Sequence, residues 1–390
     1  MDDTESLKAR IETLEKQLSE VKELLKKQVE TTATKEEVKA VKKEVEVAKK
    51  EVEVTKSQQD EWKFYDSTVH LGGYAQVGYA SDDPANDRFN QVQYSPIFHY
   101  QYKDLILLES EFEVEIEGDG ETHLALEYLT IDWFMNDYMA LSAGKFLSPI
   151  GQFRQNLHPG WINKLPSAPS GFGHDQAAPV ADVGVQLRGG APFGNNMQAN
   201  YAVFVSNGPI LELNEDGDEI EAIETEGFTS DDDDNKLFGG RIGFLPIPNV
   251  EIGISGAFGE LGLPGDTGDR DYDVLGFDLF ARWRNLDLRG EYVKQEVDGF
   301  AGSVAEEGQE WEAWYIQPSY KLLPTKLEAV ARYSDFDSTH ADQDQQQWAL
   351  GLNYLFSANA IAKFAYEFND GLTGTDTDED RLFLQFAYGF

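Results

Sequence analysis

From Thr68 to the C-terminus, apolar and polar residues alternate with a period of two, whereas before Trp62 the apolar residues recur at spacings of three and four. The first pattern is that of strands with one apolar and one polar face, the second that of a helix with an apolar stripe. Leu7, Ile11, Leu14, Leu18, Val21 and Leu25 form an a/d seam. After a lapse it restarts behind a capping box, Thr34 with Glu37, as Val38, Val41, Val45, Ala48 and Val52. Lys42-Lys-Glu-Val-Glu-Val-Ala48 is repeated almost unchanged as Lys49-Lys-Glu-Val-Glu-Val-Thr55. The sequence thus predicts an α-helical coiled coil over 1–62, with a charged, partly helical linker as the alternative.

The clearest strand is Glu109-Ser-Glu-Phe-Glu-Val-Glu-Ile-Glu117. Sixteen alternating stretches follow one another, at 68–80, 89–102, 104–117, 121–134, 137–147, 181–191, 196–206, 236–245, 249–259, 272–284, 286–297, 310–321, 325–334, 346–356, 359–369 and 380–390. Their apolar faces carry aromatics, as in Trp348, Leu350, Leu352, Tyr354, Phe356 and in Leu382, Leu384, Phe386, Tyr388, Phe390. The opposite faces are small and polar: Gln347, Ala349, Gly351, Asn353 on one, Arg381, Gln385, Ala387, Gly389 on the other. An aliphatic band edged by aromatics outside, with a wet interior, is the pattern of an outer-membrane barrel. Connectors alternate between short turns and longer polar loops, which an up-and-down barrel explains and a soluble sandwich does not. The fold class predicted is an all-β transmembrane barrel, sixteen-stranded, antiparallel and up-and-down, over 63–390. An even strand number puts both termini on the short-turn side, so the coiled coil is expected in the periplasm.

Composition sharpens the picture. The chain has 390 residues and no Cys, so disulfides and thiolate sites are absent. Its 71 Asp and Glu against 32 Lys and Arg give a formal net charge of −39, which argues against nucleic acid as a partner. Through Trp62 there are 13 basic and 16 acidic residues, which leaves 19 against 55 for the barrel. Twelve acids and no base lie in 207–235, including Asp231, Asp232, Asp233 and Asp234, and five acids lie in 370–380. The first cluster has two readings: a divalent-cation site bridging to lipopolysaccharide, or a solvated acidic loop. No Gly-x-Ser-x-Gly, Ser-x-x-Lys or His-Glu-x-x-His motif occurs and the six His are scattered, so no enzyme and no cofactor is expected. Met1-Asp-Asp-Thr lacks the start of a signal peptide, so the expectation is a mature form.

One connector departs from the scheme. Residues 148–180 are rich in Pro, Gly and aromatics, and read Gly144-Lys-Phe-Leu-Ser-Pro-Ile-Gly-Gln-Phe-Arg154 and then Leu157-His-Pro-Gly-Trp-Ile-Asn-Lys-Leu165. This third long loop, with the Glu-Phe-Glu strand, resembles the phosphate-selective porin O and P family, which includes dicarboxylate-type porins with N-terminal coiled coils. The resemblance implies a homotrimer of sixteen-stranded barrels for passive solute diffusion, with the loop folded into the lumen as a constriction. Few barrel lysines are present, which puts phosphate specificity in doubt and favours small organic anions or weakly selective diffusion.

The loop carries Arg154, Lys164, His158 and His174 against one acid, Asp175, and is locally basic inside an acidic barrel. Arg154, Lys164, His158 and Asp175 are the expected constriction residues, and an anion preference is expected from them. Parity adds Arg188, Arg241, Arg282, Arg284, Arg289 and Arg332 as lumen residues, with wall bracing by ion pairs as the alternative. Glu109, Glu111, Glu113 and Glu115 are expected to line the lumen too, where they would oppose anions; a general or cation-preferring pore is the corresponding alternative. Expected partners are outer-membrane lipid and lipopolysaccharide, and the barrel-assembly machinery through the strand ending in Phe390. Peptidoglycan is expected through the coiled coil, which would then tether the barrel.

Overall fold

The computed structural model describes residues 13, 15–17, 19–20, 22–23, 63–64, 66–82, 86–194, 196–230, 234–263, 266–323 and 326–390. Most of the predicted coiled coil lies outside the described residues; those described between Thr13 and Glu23 are helical and exposed. Met1–Val69 and His70–Phe390 are two separate units.

Sixteen antiparallel strands make up the barrel. They are β1 Ser67–Asp82, β2 Asn86–Tyr102, β3 Ile106–Ile116, β4 Thr122–Asn136 and β5 Met139–Leu147. Then come β6 Ala181–Phe193, β7 Met197–Ser206, β8 Leu237–Ile247, β9 Val250–Leu261, β10 Arg270–Trp283 and β11 Leu286–Val297. The last five are β12 Gln309–Leu323, β13 Leu327–Ser338, β14 Gln345–Leu355, β15 Ala360–Gly371 and β16 Arg381–Gly389. Each pairs with the next, and β16 pairs with β1 from Arg381 opposite Asp82 to Gly389 opposite Tyr74, so the sheet closes with no free edge. Phe390 extends this seam by exchanging backbone hydrogen bonds with Gly73 at 2.9 and 3.1 Å. Gly73 has φ +141° and a Cβ there would stand 2.3 Å from the Ser95 carbonyl oxygen, so only glycine lets the seam bend over β2.

Side chains alternate as the period of two requires. On β14, Trp348, Leu350, Leu352 and Tyr354 point outward and are exposed, while Ala349 and Asn353 between them are wholly buried. Registered outward neighbours stack into bands, such as Phe238 with Phe258 and Tyr333 with Trp348. The apolar belt ends abruptly at the long-loop rim: above Leu275 and Phe277, the outward positions are Asp273 opposite Glu296, and Glu296 opposite Glu310. Lys294 bonds both Glu296 and Glu310 at 3.0 Å. Like charges directly opposite on a sheet repel, so such a row belongs in water or headgroups and marks where hydrocarbon stops.

The interior differs from the expectation of a lumen lined by small and polar residues. Many inward positions in the long-loop half of β7 to β13, among them Phe204, Tyr272, Val274, Val293, Trp311, Tyr315 and Phe336, are apolar and buried, beside buried polar ones such as Arg270, Gln295 and Gln309. They pack with Ile150, Phe153, Phe172 and Ala177 of the loop between β5 and β6. Parity distinguishes inside from outside, but it does not say whether the inside meets water or a folded-in segment.

Ile254 lies in the outward belt of β9, half exposed, with Ile242 and Phe277 opposite it. Ile254→Arg is expected to cost about 2–4 kcal/mol of folding free energy in reversible refolding into lipid vesicles. An unchanged free energy would show that this face does not meet hydrocarbon.

Candidate functional site

The loop from Ser148 to Val180 leaves the wall at a neck closed by the Ser148 N–H to Val180 carbonyl bond, 2.9 Å. It then runs across the interior and is held at every stage by inward wall side chains. Gln152 and Phe153 donate their backbone N–H groups to Glu291 of β11 at 2.8 and 3.2 Å, and Tyr315 donates its hydroxyl to the other Glu291 oxygen at 2.6 Å. A single π-turn, Phe153–Leu157, follows. Trp161 packs on Gly389 of β16, where a Cβ would stand 2.8 Å from its ring, and Gly160 passes over Gln76 of β1. Asn353 and Lys363 then donate to the carbonyls of Lys164 and Leu165 at 2.8 and 3.1 Å. The wholly buried Arg332 donates to the carbonyls of Ser167 and Ala168 at 3.0 and 2.8 Å. Backbone that leaves regular structure inside a barrel must satisfy its polar groups there, and the wall supplies those partners.

The predicted site residues separate into groups. Lys164 is ion-paired with the buried Glu328 at 2.9 Å. His158 stands 3.7 Å from Glu111. Arg154 is buried, reaches only His174 at 3.4 Å, and has two guanidinium nitrogens without a hydrogen-bond partner. Burial pushes it below the usual arginine value, against the pull of Glu127, Glu226, Asp175 and Glu113. Lys164 and His158 therefore face wall carboxylates while Arg154 is buried beside His174, and the loop's own charge sum does not describe the space around it. Arg188 bonds Asp132, and Arg282 makes a two-point contact with Asp287 at 2.6 and 2.7 Å. Arg241 spends its fork on Asp278, Glu251 and Asn200 between 2.6 and 2.9 Å. Arg289 faces inward against Phe280. Arg284 departs from its expected place: it occupies the β10–β11 turn with φ +56°, over the outward Trp283 ring, because β10 ends one residue earlier. Glu109 and Glu111 face inward, Glu109 bonded to His99 at 2.9 Å, and Glu113 and Glu115 continue their row.

Three cavities adjoin the segment Gln152–His158. One of about 580 Å³ opens on the short-turn side beside Tyr138, Tyr201, Arg188 and Arg241. A second, about 240 Å³, shares Gln155, Asn156, Gln186 and Arg188 with it and is lined by Glu109 and Glu111. The third, also about 240 Å³, shares Gln152 and Glu251 with the first and adds Asp278, Phe280, Arg289 and Glu291. They form a charged, polar tract inside the barrel. Asp132, Glu251 and Asp278 were not among the predicted site residues, although each occupies an inward position on a strand the alternation identified.

Solved structures similar to the chain include the anion-selective porin from Comamonas acidovorans, 13% identical, TM-score 0.56, covering 83% of this chain and 100% of that one. The outer membrane channel DcaP of Acinetobacter baumannii is 12% identical with TM-score 0.56, covering 84% and 99%. OmpT, an outer membrane protein of Vibrio cholerae, is 13% identical with TM-score 0.53, covering 84% and 99%. The chain has the porin fold. No family model and no curated protein matches it, so the resemblance to the phosphate-selective porin O and P family goes no further than this architecture.

Within the porin fold, the acidic segment 207–235 is not simply the solvated loop its composition suggested. Ile210–Leu213 and Ile220–Glu224 form a hairpin whose Leu211, Ile220 and Ile223 are buried in the internal apolar core, while its acids stay outside it. His340 reaches the Ile220 carbonyl from the β13–β14 loop at 2.9 Å. Apolar residues at alternate positions, Leu211 and Leu213 or Ile220 and Ala222, were the sequence signal, masked by twelve acids. Asp231 to Asp233 lie outside the described residues; Asp234 is exposed, and no metal-binding cluster occurs among the described residues.

His174 joins the two inner loops through Glu226 at 2.7 Å. That bond raises the His174 pKa from its ordinary 6.5. Burial alone would raise Glu226, but the His174 bond and the charges of His174 and Arg154 outweigh it and hold it below its ordinary 4.5. Burial, then Glu226, raises Asp175. The His174 contribution is complete below about pH 6.5 and is lost as pH rises through its raised pKa; the Glu226 contribution is complete above about pH 4.5 and is lost as pH falls through its lowered one. Protease protection of 210–224 is therefore expected to be greatest between those values and to fall at alkaline pH. His174→Ala should remove the alkaline limb; protection with no pH dependence would mean the pair does not hold the hairpin.

Proposed function

We propose that the chain is an outer-membrane porin for passive diffusion of small hydrophilic solutes. The observation that carries this reading is the charged tract beneath Gln152–His158, enclosed by a closed barrel whose outside is apolar. Selectivity in such a pore follows the charges along its narrowest section. Around the tract, Glu109, Glu111, Glu251, Asp278 and Glu291 outnumber Arg188, Arg241 and Arg289. Because Lys164 and His158 each meet a wall acid, we infer a preference for cations, in place of the anion preference that the loop's sum suggested. The anion reading keeps two supports, the partly exposed Arg188 and the anion-selective Comamonas porin among the similar structures.

A homotrimer fits the trimer form of OmpT of Vibrio cholerae. In this reading lipopolysaccharide borders the acidic rim, the barrel-assembly machinery takes the strand ending in Phe390, and 1–62 form a periplasmic coiled coil over a barrel at 63–390. The heptad seam favours a second role beside diffusion, trimerisation or attachment to peptidoglycan.

In a KCl gradient across a planar bilayer the reversal potential should have the sign of cation preference. A carboxylate about 4 Å from a passing ion is worth about 1 kcal/mol in water, so E109Q/E111Q/E251Q should lower the cation-to-anion permeability ratio severalfold; an anion-selective wild type would reverse the inference. Deleting 1–62 should weaken envelope integrity with solute flux preserved if the coiled coil tethers. Intact envelopes with fewer trimers would leave it trimerisation alone.

A further inference from the structure

We propose that the third cavity is a binding site for zwitterionic solutes of the amino-acid type; the proposal rests on the diffusion-pore reading and names a solute class for it. Arg289 carries it. Its guanidinium carbon lies 5.6 Å from the Phe280 ring centre, and among the described residues no hydrogen bond or salt bridge engages it. The neighbouring Arg282, 5.4 Å from the same ring centre, is occupied by Asp287. Arg289 thus presents an unused planar fork of donors, which suits a carboxylate taken at two points.

The rest of the cavity is not an anion site. Asp278 accepts from Arg241 with both oxygens and from Gln152 with one. Glu251 accepts from Arg241 and Asn200 at Oε1, and Glu291 accepts from two backbone N–H groups and the Tyr315 hydroxyl. Three carboxyl groups thus stand beside two guanidiniums, Arg241 and Arg289. An anion bound to Arg289 is repelled by the neighbouring Glu251 and Asp278, and a cation is repelled by Arg289. A solute with a carboxylate and an ammonium two bonds apart meets both demands and adds no net charge. An ionised carboxylate has about four lone-pair sites, so Glu251 can accept an ammonium while keeping its present donors. Phe280 and Leu157 supply an apolar patch for a side chain. At roughly 30 Å³ per water, a cavity of about 240 Å³ takes one small amino acid.

The test is block of KCl current through the full-length channel in planar bilayers by three isosteric probes: valine, isovalerate, which lacks the ammonium, and isobutylamine, which lacks the carboxylate. Valine should block at concentrations at least tenfold lower than either analogue, and Arg289→Gln should remove most of that advantage. Isovalerate or isobutylamine blocking as well as valine overturns the proposal on the wild type alone, so it stays falsifiable if the variant fails to fold. Valine block unchanged in a conducting Arg289→Gln channel also overturns it. A wild type that carries no current overturns the pore reading and this proposal together, whereas current without valine preference overturns this proposal only.

Discussion

Everything in this protein depends on closing the sheet. In hydrocarbon an unpaired backbone N–H or carbonyl costs several kcal/mol, so a wall of strands is tolerable only if the last pairs with the first. The β16–β1 ladder and the exchange of bonds between Phe390 and Gly73 meet that requirement. Once the ring is closed, the period of two divides every strand between lipid and interior. The apolar residues that make a soluble protein's core are then on the outside, and the inside must be filled or wetted by other means.

Here both occur. One part of the interior is a dry core, where the loop 148–180 and the hairpin 210–224 bury apolar side chains against Tyr272, Val293, Trp311 and Phe336. The other part is wet and charged. The boundary between them is held by buried polar groups, Arg332, Lys363, Glu291 and Glu328, that end on loop backbone or on loop charges. Removing one partner of such a pair leaves the other buried and unsatisfied, at about 3–5 kcal/mol. The arrangement therefore fixes the loop's path more firmly than apolar packing alone, which tolerates sliding. It also neutralises Lys164 against Glu328, and the tract beneath the loop carries the acidity of the wall.

The sequence by itself determined the strand number, the inward and outward faces and the parity of the loops. All of these follow from local periodicity, which is written along the chain and needs no knowledge of distant residues. Even Glu251 and Asp278, not singled out, were legible in principle from parity. What only the tertiary structure decided was which inward residues meet each other. Lys164 and Glu328 are 164 residues apart, as are Ala168 and Arg332, and whether a basic residue is free or neutralised depends on such pairs. Arg289 and Arg241 share inward parity and residue type, yet one is saturated and the other has no hydrogen bond or salt bridge among the described residues. Likewise the acids of 207–235 were plain and the buried edge of that hairpin was not, because burial depends on what the rest of the chain brings against it. Coulomb and hydrogen-bond energies act over a few ångströms of space, and spacing along the chain measures those distances only within a strand or turn.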